Sequence, residues 1–133
     1  MPSLDTNCLL RWLLGDVPAQ QARVDGLIAA DASLAVEDVA VIEAVYALER
    51  SLRIGRETIT EAINTLVGTK AIAMDRDLWH SILKTYLSHP KLSLVDIYLA
   101  QRARRSGQTP LYTFDAKMIN QLADASPVPA AED

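Results

Sequence analysis

Four carboxylates stand out by the company they keep. Asp96 lies in LSLVDIYLAQRARR (92–105), inside an otherwise apolar run. Glu43 lies in VAVIEAVYAL, with Val39, Ile42, Val45 and Tyr46 around it. Asp5 closes Ser3-Leu4-Asp5, and Asp115 closes Pro110-Leu-Tyr-Thr-Phe-Asp115. An ionised carboxylate is costly to bury without a partner, so each needs a reason. Singly, each has an ordinary one. Ser93-Leu-Val-Asp96 matches a capping box, and an acid in a first helical turn suits the helix dipole. Asp5 and Asp115 could each be N-caps. Glu43 sits too far from a helix start to cap it, so it would be a surface glutamate on a narrow polar face or a buried one paired to an arginine.

Together the four acids suggest a shared cause. In open α/β folds, ligands bind in the crevice at the carboxyl ends of parallel strands. Asp5 and Asp115 would lie there, and so would Asp96 in a first helical turn and Glu43 if its helix aims it that way. Bare carboxylates about 4 Å apart repel by roughly 4 kcal/mol per pair at an effective dielectric of 20. Such a cluster holds protons or cations. An oxygen-only donor set suits Mg²⁺, with Mn²⁺ as a substitute. The chemistry would then be phosphodiester hydrolysis by metal-activated water.

The elements that must position these acids alternate short strands with helices. Ser3 to Asp5 reads as a short first strand, weakened by Pro2. The helix NCLLRWLLG follows, with Gly15 as its stop. Pro18 opens a second helix through about Ala30, with Val24, Leu27 and Ile28 at helical spacing. Ser33 to Val36 is a second strand. Residues 38–53 form a long helix with Gly55 as its expected stop, and Glu57 to Val67 a further one. Ala71 to Met74 is a short strand, and Asp75 to Leu87 a helix ended by His89-Pro90. Ser93 to Arg105 is the helix carrying Asp96, stopped by Gly107. Pro110 to Asp115 is the best strand, followed by a helix from Ala116 to Ala123 and a Pro- and Ala-rich tail suited to one more edge strand. This pattern predicts an α/β fold with a short, mainly parallel central sheet.

Bulk properties narrow the class. The 133 residues are 50% hydrophobic, enough for a single domain spanning 1–133 with one core. Aromatics are 5%, so Ala, Leu, Val and Ile must build that core. The net charge of −4 argues against gripping nucleic acid by overall charge, leaving a local patch or a bound cation to do it. One cysteine, Cys8, excludes an intramolecular disulfide and fits a reducing cytosol. No signal peptide is visible, and no apolar run approaches the roughly 18 residues that span a bilayer. The expectation is a cytoplasmic protein with no membrane partner.

Four pieces, LDTNCLLRWL (4–13), VIEAVYALERS (41–51), LVDIYLAQRA (94–103) and YTFDAKM (112–118), in this order, resemble the PIN domain family. The likeness is specifically to the VapC toxins of bacterial toxin–antitoxin pairs, and it runs from end to end. It implies an RNase-H-like three-layer α/β/α sandwich and a metal-dependent endoribonuclease that leaves 5′-phosphate and 3′-hydroxyl ends. By motif match, Asp5, Glu43, Asp96 and Asp115 are its metal-binding and catalytic acids. Thr6, Asn7 and Thr113 match the small polar residues that orient ligands or water beside them. The resemblance also implies a homodimer and a cognate antitoxin that places a basic side chain in the acidic site. Two departures are the short Met-Pro-Ser start and Lys117 close to Asp115, where it could neutralise the site or contact phosphate.

Other features have competing readings. Arg102, Arg104 and Arg105 suit a solvated last turn favoured by the helix dipole, or phosphate contact by Arg102 and Arg105; Arg11 invites the latter reading too. Trp12 and Trp79 suit the core or a dimer interface better than base stacking. The helices at 38–67 expose either a groove for a partner helix or ordinary core faces. Two histidines and one cysteine make no Cys/His zinc set, and there is no G-x-S-x-G elbow and no P-loop lysine after Gly55. A receiver-like phosphoacceptor would need adjacent acids after the first strand, where only Asp5 stands. A catalytically idle member acting through partner or operator binding is the other alternative.

Overall fold

The computed structural model describes residues 1–30 and 33–131. Their helices are α1 (Thr6–Leu14), α2 (Pro18–Ala29), α3 (Asp38–Arg50), α4 (Arg56–Val67), α5 (Arg76–Ser88), α6 (Leu94–Arg105) and α7 (Ala116–Gln121). Their strands are β1 (Leu34–Ala35), β2 (Ile72–Ala73), β3 (Leu111–Thr113) and β4 (Ala125–Pro127). Ser3 adds an isolated parallel bridge to Ala35, so the expected first strand is reduced to one pairing. All pairings among the described residues are parallel, and each successive partner is reached through helix, as parallel strands require. The fold is α/β, as expected, and consistent with an RNase-H-like sandwich. The pairing forms two small sheets, β1–β2 and β3–β4, where one central sheet was expected. Strands of two or three residues carry few ladder bonds, so helix packing supplies most of the cohesion.

The backbone groups into two compact units, residues 1–79 and 80–133. In the first, α3 buries Ala40, Val41, Ala44, Val45 and Leu48, and α4 buries Ile59, Ile63, Leu66 and Val67. The 3- and 4-residue steps put each set on one helical stripe. A fully buried aliphatic side chain of this size contributes about 1.5–3 kcal/mol relative to exposure. The polar positions of α4, Glu57, Glu61 and Asn64, face outward. The α4 stripe is therefore core, and only Val39 and Tyr46 of α3 and Leu52 after it stand exposed among the large apolar residues of 38–67.

Trp79 is fully buried, with its indole Nε1 donating to Asp38 Oδ1 at 2.9 Å. Trp12 is tied across the α1–α2 hairpin, donating from Nε1 to Asp25 Oδ1 at 2.9 Å. Gln21 Nε2 adds a bond to the Trp12 carbonyl at 3.0 Å. Gly15 closes α1 in the left-handed region at φ 62, as expected, where an added Cβ would fall 2.8 Å from Gln21 Nε2.

Gly55 does not stop α3. That helix ends at Arg50 with Ser51 as its cap, and Arg53 takes the left-handed conformation at φ 52. Gly55, at φ −73, is instead the N-cap of α4. The next helix follows so closely that Gly55 falls at its start rather than at the end of α3.

In the second unit, α6 buries Leu94, Ile97, Ala100 and Ala103. Gln101 Nε2 reaches back to Thr85 Oγ1 at 3.0 Å and to the Ser81 carbonyl at 3.3 Å, pinning α6 to α5. Gly107, at φ 66, follows the last turn of α6 as expected. The tail does form one more strand, β4, registered Leu111↔Ala125 with β3. Residues 132 and 133 of that tail lie outside the described residues. No helix among the described residues is long and apolar enough to cross a membrane.

Candidate active site

The acids at the strand ends do cap helices. Asp5 is the N-cap of α1, its Oδ1 accepting the Cys8 N–H at 2.9 Å. Asp115 is the N-cap of α7, accepting the Lys117 N–H at 2.8 Å. Asp75, after β2, accepts the Leu78 N–H at 3.1 Å. Capping does not exclude cation binding, because a carboxylate has two oxygens and about four lone-pair sites. The cap bond from the Cys8 N–H holds the Asp5 carboxyl below its usual range, so Asp5 is firmly ionised. Partial burial, with the neighbouring Asp5 adding to it, pushes the Cys8 thiol up. Cys8 is half-buried and a poor thiolate.

Glu43 is exposed on α3, not buried in its apolar neighbourhood. Val39 and Tyr46 flank it on the same face, at 60% and 62% exposure. The Arg50 guanidinium lies 5.6 Å from the Tyr46 ring centroid. Glu43 and Asp5 line one notch of about 280 Å³ with Ser3, Thr6 and Val39, and Glu37 joins them there. Sequence reasoning missed Glu37. It lies two residues after β1, just as Asp115 lies two residues after β3, so the same rule would have found it. Glu37 occupies the N-cap position of α3 but makes no side-chain cap bond.

In the second unit, Asp96 is half-exposed in the first turn of α6, where its N–H donates to Ser93 Oγ at 3.2 Å. That is the serine half of the expected capping box. Asp115 is also half-exposed, and its N–H donates to Thr113 Oγ1 at 3.0 Å. Thr113 thus fixes the backbone that carries Asp115. Lys117 is exposed on α7, two residues beyond. Arg102 and Arg105 lie six and nine residues past Asp96, roughly 9 and 13 Å along the α6 axis. Arg104 and Arg105 line a separate cleft with His89 and Asp124.

Around α1, Asn7 and Arg11 line a hollow beside Asp5, while Thr6 faces the acidic notch. Arg11 Nε is 3.2 Å from Asp16 Oδ1, an ion pair without hydrogen-bond geometry.

The PIN domain family model matches residues 3–124. The chain belongs to the PIN domain family. The PIN domain is a nuclease-type fold, generally that of a ribonuclease. No curated protein and no solved structure matches the chain.

Does the donor set of this PIN domain fit a divalent cation? Among the described residues, no group of three or more His, Cys, Asp or Glu stands close enough to hold a metal ion. The notch still brings Asp5, Glu37 and Glu43 around one space, and all three side chains offer oxygen alone. Mg²⁺ binds through one or two carboxylates and keeps several waters. An open notch whose acids offer oxygen alone suits the donor chemistry of a hydrated Mg²⁺ better than that of zinc, which takes a closed nitrogen and sulfur set in its structural sites.

Proposed function

We propose that this PIN domain is a Mg²⁺-dependent endoribonuclease and the toxin of a bacterial type II toxin–antitoxin pair. The observation that carries the reading is the notch where Asp5 and Glu43, 38 positions apart in sequence, face one space with Glu37. In the first unit, Asp5 and Glu43 would hold Mg²⁺ or Mn²⁺, with Glu37 beside them. Asp96 and Asp115 are the matching acids of the second unit, by motif. When bound, the cation supplies charge neutralisation at the scissile phosphate and a water of lowered pKa.

The chain's own residues do the positioning. The cap bond keeps Asp5 charged and its side chain fixed at the start of α1. Ser93 and Thr113 hold the backbones of Asp96 and Asp115. RNA is the substrate, a cognate antitoxin the silencing partner and a homodimer the assembly, each following from the VapC-like motifs, and the cytoplasm is the compartment that the single cysteine suits. The exposed Val39 and Tyr46 beside Glu43 offer apolar surface for such a protein partner.

A second reading is a catalytically idle PIN protein acting through partner or operator binding. The absence of a three-acid cluster among the described residues favours it. One experiment separates the two: the melting temperature of chelator-stripped protein with added Mg²⁺ or Mn²⁺, followed by incubation with RNA. A metal-dependent rise, and RNA cleavage lost in Asp5→Asn and Asp96→Asn, support the nuclease. No rise at millimolar metal and intact RNA support the idle form.

A further inference from the structure

We infer that the hollow between α1 and α2 is a nucleotide subsite, which receives the RNA residue next to the phosphate held at the Asp5 notch. This rests on the nuclease reading above. The hollow has a volume of about 350 Å³, at the small end of the roughly 300–1,000 Å³ of ligand sites. Asn7 and Arg11 lie four apart on α1, and Gln20, Val24 and Leu27 recur at helical spacing on α2, so one stripe of each helix lines it.

The chemistry of the lining fits a nucleotide. Val24 and the 48%-exposed Leu27 give an apolar surface for the flat face of a base. The carboxamides of Asn7 and Gln20 can each donate and accept at a base edge. Arg23 is exposed, and no ion pair engages it among the described residues. Arg11 shares its charge with Asp16. In a chain of net charge −4, the Arg23 guanidinium beside an apolar floor is a local attraction for a polyanion, with Arg11 already offset by Asp16. Asp5 lines both the hollow and the acidic notch, so an RNA strand whose phosphate enters the notch has its next nucleotide at the hollow. The Trp12–Asp25 and Gln21–Trp12 bonds brace the hairpin, so the hollow is preformed.

The test is fluorescence anisotropy with a labelled single-stranded oligoribonucleotide, in chelator, over a salt series. Arg23→Ala and Leu27→Ser are surface changes, and Lys84→Ala, on the exposed side of α5, controls for loss of one positive charge. Arg23→Ala is expected to weaken binding about 5- to 10-fold and to lower the slope of log affinity against log salt by about 1. Leu27→Ser is expected to weaken binding about threefold with the slope unchanged, and Lys84→Ala to stay within about twofold of the parent. The metal-dependent melting rise should survive in all three. Binding by Arg23→Ala and Leu27→Ser equal to that of Lys84→Ala overturns the subsite, even if the parent cleaves RNA. A parent that neither binds nor cleaves RNA overturns the nuclease reading and the subsite together.

Discussion

Asp5 and Cys8 are joined across the first turn of α1, the carboxylate Oδ1 accepting the Cys8 N–H at 2.9 Å. The bond serves the helix and also sets the charge of the acid. Because the folded pKa is depressed, Asp5 contributes stability that is present above its ordinary value of 3.8 and is lost as pH falls through the lower folded value. Carbon-detected NMR titration should place the Asp5 midpoint below 3.8. Asn is as good an N-cap as Asp, so Asp5→Asn should melt close to the parent while losing its metal response; Asp5→Ala, which removes the cap bond, should lose the metal response and also melt lower. An unchanged metal response in Asp5→Asn would remove Asp5 from the site.

Glu37 is expected to behave as a site residue. Binding at a hundredfold excess over Kd stabilises a fold by about 2.7 kcal/mol. In a domain of this size that is on the order of 10 °C in melting temperature. Glu37→Gln and Glu43→Gln should each reduce the rise with Mn²⁺. Glu57→Gln, an exposed acid on α4 outside the notch, should not.

Thr113 supports Asp115 through its side-chain oxygen, which accepts the Asp115 N–H. Thr113→Val keeps the shape and loses the acceptor. It should cost about 0.5–1.5 kcal/mol in denaturant unfolding and reduce RNA cleavage. Thr113→Ser should restore both. Equal cleavage in the Val and Ser variants would show that the hydroxyl does not position Asp115.

Two glycines and an arginine at helix ends should respond in opposite directions, Gly15 after α1 and Arg53 and Gly55 between α3 and α4. Gly55 has φ −73 and nothing within 4 Å of an added Cβ, but alanine is a poorer N-cap than glycine, so Gly55→Ala should destabilise mildly, by up to about 1 kcal/mol. Gly15→Ala should destabilise, being strained in φ and crowding Gln21. Arg53→Gly relieves a left-handed residue and should raise stability by up to about 1 kcal/mol. Thermal melts of the three variants check the set.

Much of this protein was legible in the sequence by itself. Among the described residues the seven helices lie where the sequence placed them, α2 and α4 by apolar spacing, which buries one stripe, and others by glycine and proline stops. Gly15 and Gly107 marked true helix ends, because the left-handed residue there favours glycine. Asp5, Asp96 and Asp115 were legible as first-turn or capping acids, since strand-to-helix junctions have a local pattern. Tertiary structure decided the rest. Gly55 changed from a stop to a start because a second helix claims it, and among the described residues the first strand shrank to one bridge, Ser3 with Ala35. Trp12 became a hairpin tie through Asp25, a partner 13 residues away that no local pattern names. Glu43 proved exposed because α3 turns its neighbours Ala44 and Val45 inward. Glu37 joined the notch because the packing of α3 on α1, a long-range matter, sets which acids share a space. Local pattern fixes which residues begin and end elements, since those forces act within a few residues. Which side chains share a space depends on how the elements pack.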